Sequence, residues 1–367
     1  MRKLLLTTAI ASATLVASNA VAQTKVSGSL SMIYKGSSID AASDISGGRG
    51  FGRESQLNIQ NKGKLNNGMD YAAGFSLEFD GGQDNDPSNE NLYIDFIFPS
   101  KTTITVGQDH IQNTNRTRGN FVGYDAVDLT DGANASIKTA FIQSAGVDVA
   151  QFTGIGIVQN TPFGNLSFNY APTVSSASVG ITNSNNGTWG VGSGTSNYLG
   201  TSDAKGILET DGEGSFEIGF DGNLGVKGLG VHYFYNESPK NSGAASGASV
   251  LLRDHTGVNY GASYNMGDIT AGYNRKETEI GTSAVDLKQD EFGLAFAVSK
   301  DVTLGANYTK VDNNQAGKVD AKLKSISVGY NLGPVGLTGQ FAKVEAYNNV
   351  STTKDMDIVV VRAVAAF

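Results

Sequence analysis

The chain contains no cysteine, only six prolines and one tryptophan, Trp189, in 367 residues. Without cysteine there is neither a disulfide framework nor a thiolate metal site. Histidine is scarce as well: His110, His232 and His255 are too few and too scattered for a histidine-built metal centre. None of them accompanies a nucleophile motif such as G-x-S-x-G, so the expectation is a protein that is not an enzyme. Beyond residue 22 no apolar run is long enough to cross a bilayer as a helix. That excludes a helical membrane protein but not a barrel of alternating strands, half of whose residues face water. Basic residues are in deficit, 27 against 35 acidic ones, for a formal net charge of -8. Such a balance disfavours nucleic acid as a partner.

Glycine, at 47 residues, is abundant, and 14 tyrosines and 17 phenylalanines dwarf the single tryptophan. A chain rich in glycine and aromatics reads as many short strands joined by turns. The first segment differs from the rest. Arg2 and Lys3 form a basic start, Leu4 to Ala17 is mostly apolar, and Ala20-Val21-Ala22 is an A-x-A cleavage site. This is the pattern of a secretory signal peptide, residues 1–22, with the mature chain expected to begin at Gln23. Removing its two basic residues takes the formal charge from -8 to -10.

From Val26 onward, period-2 alternation recurs. Tyr71, Ala73, Phe75, Leu77 and Phe79 alternate with Asp70, Ser76, Glu78 and Asp80, one apolar side against one acidic side. Leu229 to Tyr235, Val258 to Met266, Val302 to Tyr308 and Ile326 to Leu332 repeat the scheme. The final stretch, Asp355 to Phe367, has no turn residue; Val359, Val361 and Phe367 share one side, with Arg362 on the other. In all about sixteen strands are predicted, an even number suited to an up-and-down antiparallel barrel. Short turns, near Asn67, Ser100, Pro162, Gly222, Gly267, Lys300 and Pro334, alternate with long polar connections. The longest are an irregular stretch at 109–149 and a Ser/Asn/Gly/Thr-rich one at 173–214. Segregation of short and long connections predicts a membrane barrel with one rim of turns and one of loops.

The chain resembles the Gram-negative general porin family over essentially its whole mature length. The resemblance rests on Val26-Ser27-Gly28-Ser29-Leu30, on the turn Asn61-Lys62-Gly63-Lys64-Leu65-Asn66-Asn67-Gly68-Met69, on Ile104-Thr105-Val106-Gly107-Gln108, and on the terminal Phe367. It implies a trimeric, 16-stranded outer-membrane barrel, residues 23–367. It also implies passive diffusion of small hydrophilic solutes and ions, contact with outer-membrane lipid, and recognition of Phe367 by the outer-membrane assembly machinery. In that family a loop after the fifth strand folds into the barrel, and the matching stretch here is 109–149. The family's Arg/Lys run on the second strand is replaced here by Gln56, Asn58 and Gln60, which puts the basic side of the pore in question.

On this frame the candidate constriction residues are Asp125, Asp128 and Asp131, with Arg116 and Arg118 just before them. Carboxylates at a narrow, wet passage attract cations, so a cation-leaning channel is expected. Lumen-facing charges are expected at Arg362, Glu78, Asp80, Asp95, Glu217, Lys35, Arg49 and Arg53, with Asp221 and Lys276 as further candidates. Lys324 shares its parity with Ile326 and Val328 and is expected outside. The segment 80–90, DGGQDNDPSNE, offers oxygen ligands for calcium without EF-hand spacing. Two other readings stay open: a substrate-selective channel, and an exported surface or binding protein whose barrel is closed.

Overall fold

The structure, a computed structural model, describes residues 23–39, 49–80, 88–108, 154–171, 215–238, 255–280, 285–314, 318–346 and 355–367. They form sixteen strands: β1 (Gln23–Ile39), β2 (Arg49–Lys64), β3 (Asp70–Asp80), β4 (Ser88–Ile97), β5 (Thr102–Gln108), β6 (Gly154–Thr161), β7 (Gly164–Ala171) and β8 (Ser215–Gly222), followed by β9 (Leu229–Ser238), β10 (His255–Met266), β11 (Ile269–Ile280), β12 (Val285–Ala297), β13 (Val302–Asn313), β14 (Ala321–Asn331), β15 (Val335–Glu345) and β16 (Met356–Ala366). Each pairs antiparallel with its sequence neighbours, and β1 pairs with β16 to close a barrel. Closure leaves no open edge, the condition for a sheet to sit in hydrocarbon.

The turn rim is built by side chains that fold back on their own backbone. Asn67 Oδ1 accepts from Met69 N at 3.1 Å, Asn223 Oδ1 from Gly225 N at 2.9 Å, and Asn331 Oδ1 from Gly333 N at 3.0 Å. At Ser299 the hydroxyl accepts from Asp301 N and Val302 N. These local bonds fix three- to six-residue connections without a ladder.

Register sorts every strand into two rows. Leu30, Met32, Ile94, Val106, Phe168, Ile218, Tyr260, Phe292, Leu304, Ile326, Val328, Phe341 and Val361 are exposed and point outward. In lipid that exposure is burial, so the outward row is the hydrophobic surface that stabilises the fold in place. Aromatics cluster within it: Tyr273, Phe292 and Tyr308 stack across β11, β12 and β13 with ring centroids 5.0 and 6.4 Å apart. Further toward the loop rim the outward row turns ionic. Arg275 meets Asp290 at 3.0 Å and Glu277 at 2.6 Å, Lys324 meets Glu345 at 2.7 Å, and Lys343 meets Asp355 at 2.9 Å.

The strands run further than their alternation predicts. Alternation in the sequence covers only Gln56 to Gln60, yet β2 spans Arg49–Lys64. Strand ends beyond the bilayer are polar on both faces, so their pairing leaves no hydrophobic period. For the same reason only residues 281–284 separate β11 from β12, where a long loop is expected. The buried apolar cluster lies on the inward side, at the loop-rim half of β13 to β16: Val311, Ala321, Leu323, Ala342, Val344, Met356, Ile358 and Val360, with Ile33 packed against it.

Candidate functional site

The inward rows form the lumen wall, and three sectors of it differ in chemistry. At the seam, Arg362 and Lys35 face inward on β16 and β1. Arg362 Nε donates to Ser31 Oγ at 2.9 Å across the β1–β16 junction. Next to them, β2 presents Gln56, Asn58 and Gln60, a neutral amide row whose members bond to one another and, through Gln60 Nε2, to the Tyr93 hydroxyl. Beyond the amides comes an acidic sector. Glu78 is the register partner of Gln56, and Asp95 on β4 accepts from Thr105 Oγ1 at 2.6 Å.

The third sector crosses β7 to β12 as a ladder of buried polar groups. Asn169 Nδ2 reaches Glu217 Oε1 at 3.5 Å. His232 Nε2 lies 3.2 Å from Asn259 Oδ1 and 2.9 Å from Asn274 Oδ1. Asn274 Nδ2 donates to Glu291 Oε2 at 2.8 Å, and Lys276 Nζ meets Glu291 Oε1 at 3.2 Å. Gln289 Nε2 also donates to Glu291. A carboxylate that accepts from an ammonium and two amides is held in place.

Most expected lumen charges fall on inward rows: Arg362, Lys35, Glu78, Asp95 and Glu217; the Asp80 side chain lies outside what the structure describes. Arg49 and Arg53 do not. Arg53 is the partner of Met32 and Arg49 of Gly36, so both stand on the outward row with Phe51 and Leu57. The signal was in the sequence, because Arg53 has the parity of Leu57 and Ile59. Lys276 is inward but 2% exposed and paired, and so adds no charge to the passage on its own. Lys324 is outward, as its parity predicts. Phe367 is outward and 65% exposed. Asp125, Asp128, Asp131, Arg116 and Arg118 lie outside the described residues, as do residues 81–87 of the calcium candidate. The asparagine ladder of Asn169, Asn236, Asn259 and Asn274 went unread, although each alternates with Tyr or Phe on its strand.

A closed, even-stranded antiparallel barrel with an apolar exterior and a polar interior defines a transmembrane β-barrel of the outer-membrane class. The family profile described as Gram-negative porin matches residues 7–364. The chain therefore belongs to the Gram-negative porin family, as an outer-membrane barrel channel. Among solved structures it is similar to an anion-selective porin from Comamonas acidovorans, at 14% identity and a TM-score of 0.64, covering 94% of this chain and 100% of that one. It is also similar to a loop-deleted OmpT of Vibrio cholerae, at 12% identity and a TM-score of 0.60 over 94% and 99% of the two chains. A variant of the Rh. blastica porin gives 15% identity and 0.58 over 94% and 100%. A search of curated proteins returned no match.

Proposed function

We propose that this porin is a trimeric channel for passive diffusion of small hydrophilic solutes and ions, exported with the help of residues 1–22. The observation that carries the reading is the division of rows around a complete ring: apolar outward on every strand, amides and charges inward over most of the wall. A wall of that kind is wetted and offers no specific covalent chemistry, so the reading includes no enzymatic step. On the strength of the family resemblance, this reading takes the stretch 109–149 to fold inward and narrow the passage. β5 and β6 pair directly through Gly107 and Gly154, so the stretch is not needed to close the barrel and is free to serve the passage.

The channel leans toward cations in this reading. The formal charge of -8, the inward Glu78, Asp95, Glu217 and Asp221, and the acidic 125–131 stretch all favour that sign. Barrel architecture does not decide it, since one structural neighbour is described as anion-selective.

Planar-bilayer recording tests both levels. Trimers of the folded protein are expected to insert with stable conductance and to close in three steps; folded protein that never conducts would instead favour a closed surface barrel. Saturable current block by a solute would mark a substrate-selective channel. Under a salt gradient, the triple variant D125N/D128N/D131N is expected to lose cation preference. An unchanged reversal potential would remove those residues from the filter.

A further inference from the structure

The lumen wall uses amides twice, and the two sets differ in what they can still bind. In the ladder of β7 to β12, Asn169, Asn259 and Asn274 are 0% exposed and Gln289 is 2% exposed. Their bonds run to one another's neighbours within the wall, Glu217, His232 and Glu291. On β2 the row Gln56, Asn58 and Gln60 is only half-buried, so a solute in the lumen can reach it. The register adds two half-buried hydroxyls from β1, Ser29 opposite Gln56 and Ser27 opposite Asn58. From Gln56 to Gln60 the row extends about 13 Å at the ordinary rise of a strand.

The β2 row spends only part of its hydrogen-bonding capacity. Asn58 Nδ2 donates to Gln56 Oε1 at 3.4 Å, and Gln60 Nε2 donates to the Tyr93 hydroxyl. Among the described residues, that leaves Gln56 Nε2 as a donor and Asn58 Oδ1 and Gln60 Oε1 as acceptors for a solute. The Gln60 end is held in place by its partner. Tyr93 is 7% exposed, and a Cβ at Gly74 would lie 2.7 Å from Ile59 O and 3.0 Å from the Tyr93 hydroxyl, so the glycine keeps the space that the ring occupies. Charge stands beside the row and not in it: Glu78 is the register partner of Gln56, and Lys25 that of Gln60.

We infer that Gln56, Asn58 and Gln60 are specificity-determining residues that favour neutral, hydroxyl-rich solutes, saccharides and other polyols, over solutes of equal size without hydroxyls. A hydroxyl both donates and accepts, so one polyol can serve the Gln56 donor and the Asn58 and Gln60 acceptors in turn. It reproduces the bonds of the water it displaces, whereas a solute with acceptors alone leaves Asn58 Oδ1 and Gln60 Oε1 without a donor. Each such bond replaces one to water, so the outcome is a preference in passage and not tight retention. The amides carry no charge, so the preference is not screened by salt. The inference rests on the reading of the lumen as a conducting path and names the solute class that its open wall selects.

Osmotic swelling of proteoliposomes tests it with two probes, sucrose and a polyethylene glycol of the same hydrodynamic radius, whose ether oxygens accept but do not donate. The full-length folded protein is expected to pass sucrose faster, by about threefold or more, the effect of one or two hydrogen bonds. The ratio is expected to hold between low and high salt and to fall toward one in Q56M/N58L, which keeps side-chain volume and the Gln60–Tyr93 bond. The single variant Q56M carries the same test, with a partial fall, should the double variant not fold. N169A, in the buried ladder, is expected to keep the parent ratio. Equal passage of the two probes, a ratio lost at high salt, or a ratio unchanged in Q56M and Q56M/N58L overturns the proposal while ion conductance in planar bilayers upholds the channel reading. A folded barrel that passes neither ions nor solutes overturns the channel reading and the proposal with it.

Discussion

At the scale of single residues, the lumen wall contains one buried ion pair among the described residues, and its energetics differ from those of solvated pairs. Lys276 and Glu291 are 2% and 8% exposed and lie 3.2 Å apart. Exposed pairs, such as Lys64 with Asp70 beside the β2–β3 turn at 68% and 53%, are solvated and contribute little. Removing one partner of a buried pair leaves an uncompensated charge, which costs about 3–5 kcal/mol. Lys276→Met is therefore expected to destabilise the folded barrel by that order in urea-dependent refolding into lipid vesicles. Lys276→Met combined with Glu291→Gln removes both charges but keeps an acceptor for Asn274, and most of the stability is expected to return. Lys64→Ala serves as the solvated control, with a change under about 1 kcal/mol. If Lys276→Met matches the control, the pair is wet and the ladder is not a structural unit.

Among elements, the seam where β16 meets β1 is the one contact no hairpin supplies. It runs from Ile39 opposite Met356 to Ser29 opposite Ala366, and it ends with a pair of backbone bonds between Gly28 and Phe367, each 3.0 Å. The Phe367 ring lies over Gly28: a Cβ there would sit 2.6 Å from Phe367 Cζ and 2.5 Å from Gln56 O. Gly28→Val is expected to lower the yield of folded barrel and cost about 1–3 kcal/mol through overpacking. Deletion of Phe367 is expected to impair assembly in cells, and normal trimer yield without it would count against its role as a signal. The seam also shows what could be read from the chain. The pairing of the last strand with the region of Val26–Tyr34 follows from the even strand count and the alternation of Val359, Val361 and Phe367. Alternation equally placed Arg362 inside, because a charge at mid-bilayer on the lipid face costs about 2–4 kcal/mol. Arg49 and Arg53 share the outward parity of Leu57 and Ile59, but there β2 runs past the hydrophobic band, where a charge on the outward face costs little and alternation is a weak signal. Nor did it say why Met356, Ile358 and Val360 are apolar on the lumen side, since alternation names a face but not what that face meets.

For the whole molecule, the decisive quantity is how much of the lumen is open, and the ring of strands permits a direct test. β5 and β6 are hydrogen-bonded neighbours from Thr102 opposite Gln159 to Gly107 opposite Gly154. Hairpin neighbours in a barrel are ordinarily joined by a few residues, so residues 109–153 are not required for closure. Replacing 110–152 with a four-residue Gly-Ser linker, about the length of an ordinary hairpin loop, is therefore expected to leave a folded, heat-modifiable barrel. If the 109–149 stretch narrows the passage, the variant should conduct at least about twofold more than the parent chain and discriminate less between cations and anions. The same deletion removes Asp125, Asp128 and Asp131 together, whereas the triple Asn variant removes their charge and keeps their volume. Comparing the two separates steric narrowing from electrostatic filtering. A rise in conductance with unchanged selectivity would assign charge discrimination to the wall groups Glu78, Asp95 and Asp221. An unchanged conductance would place the stretch outside the passage and leave the strands alone to set its width.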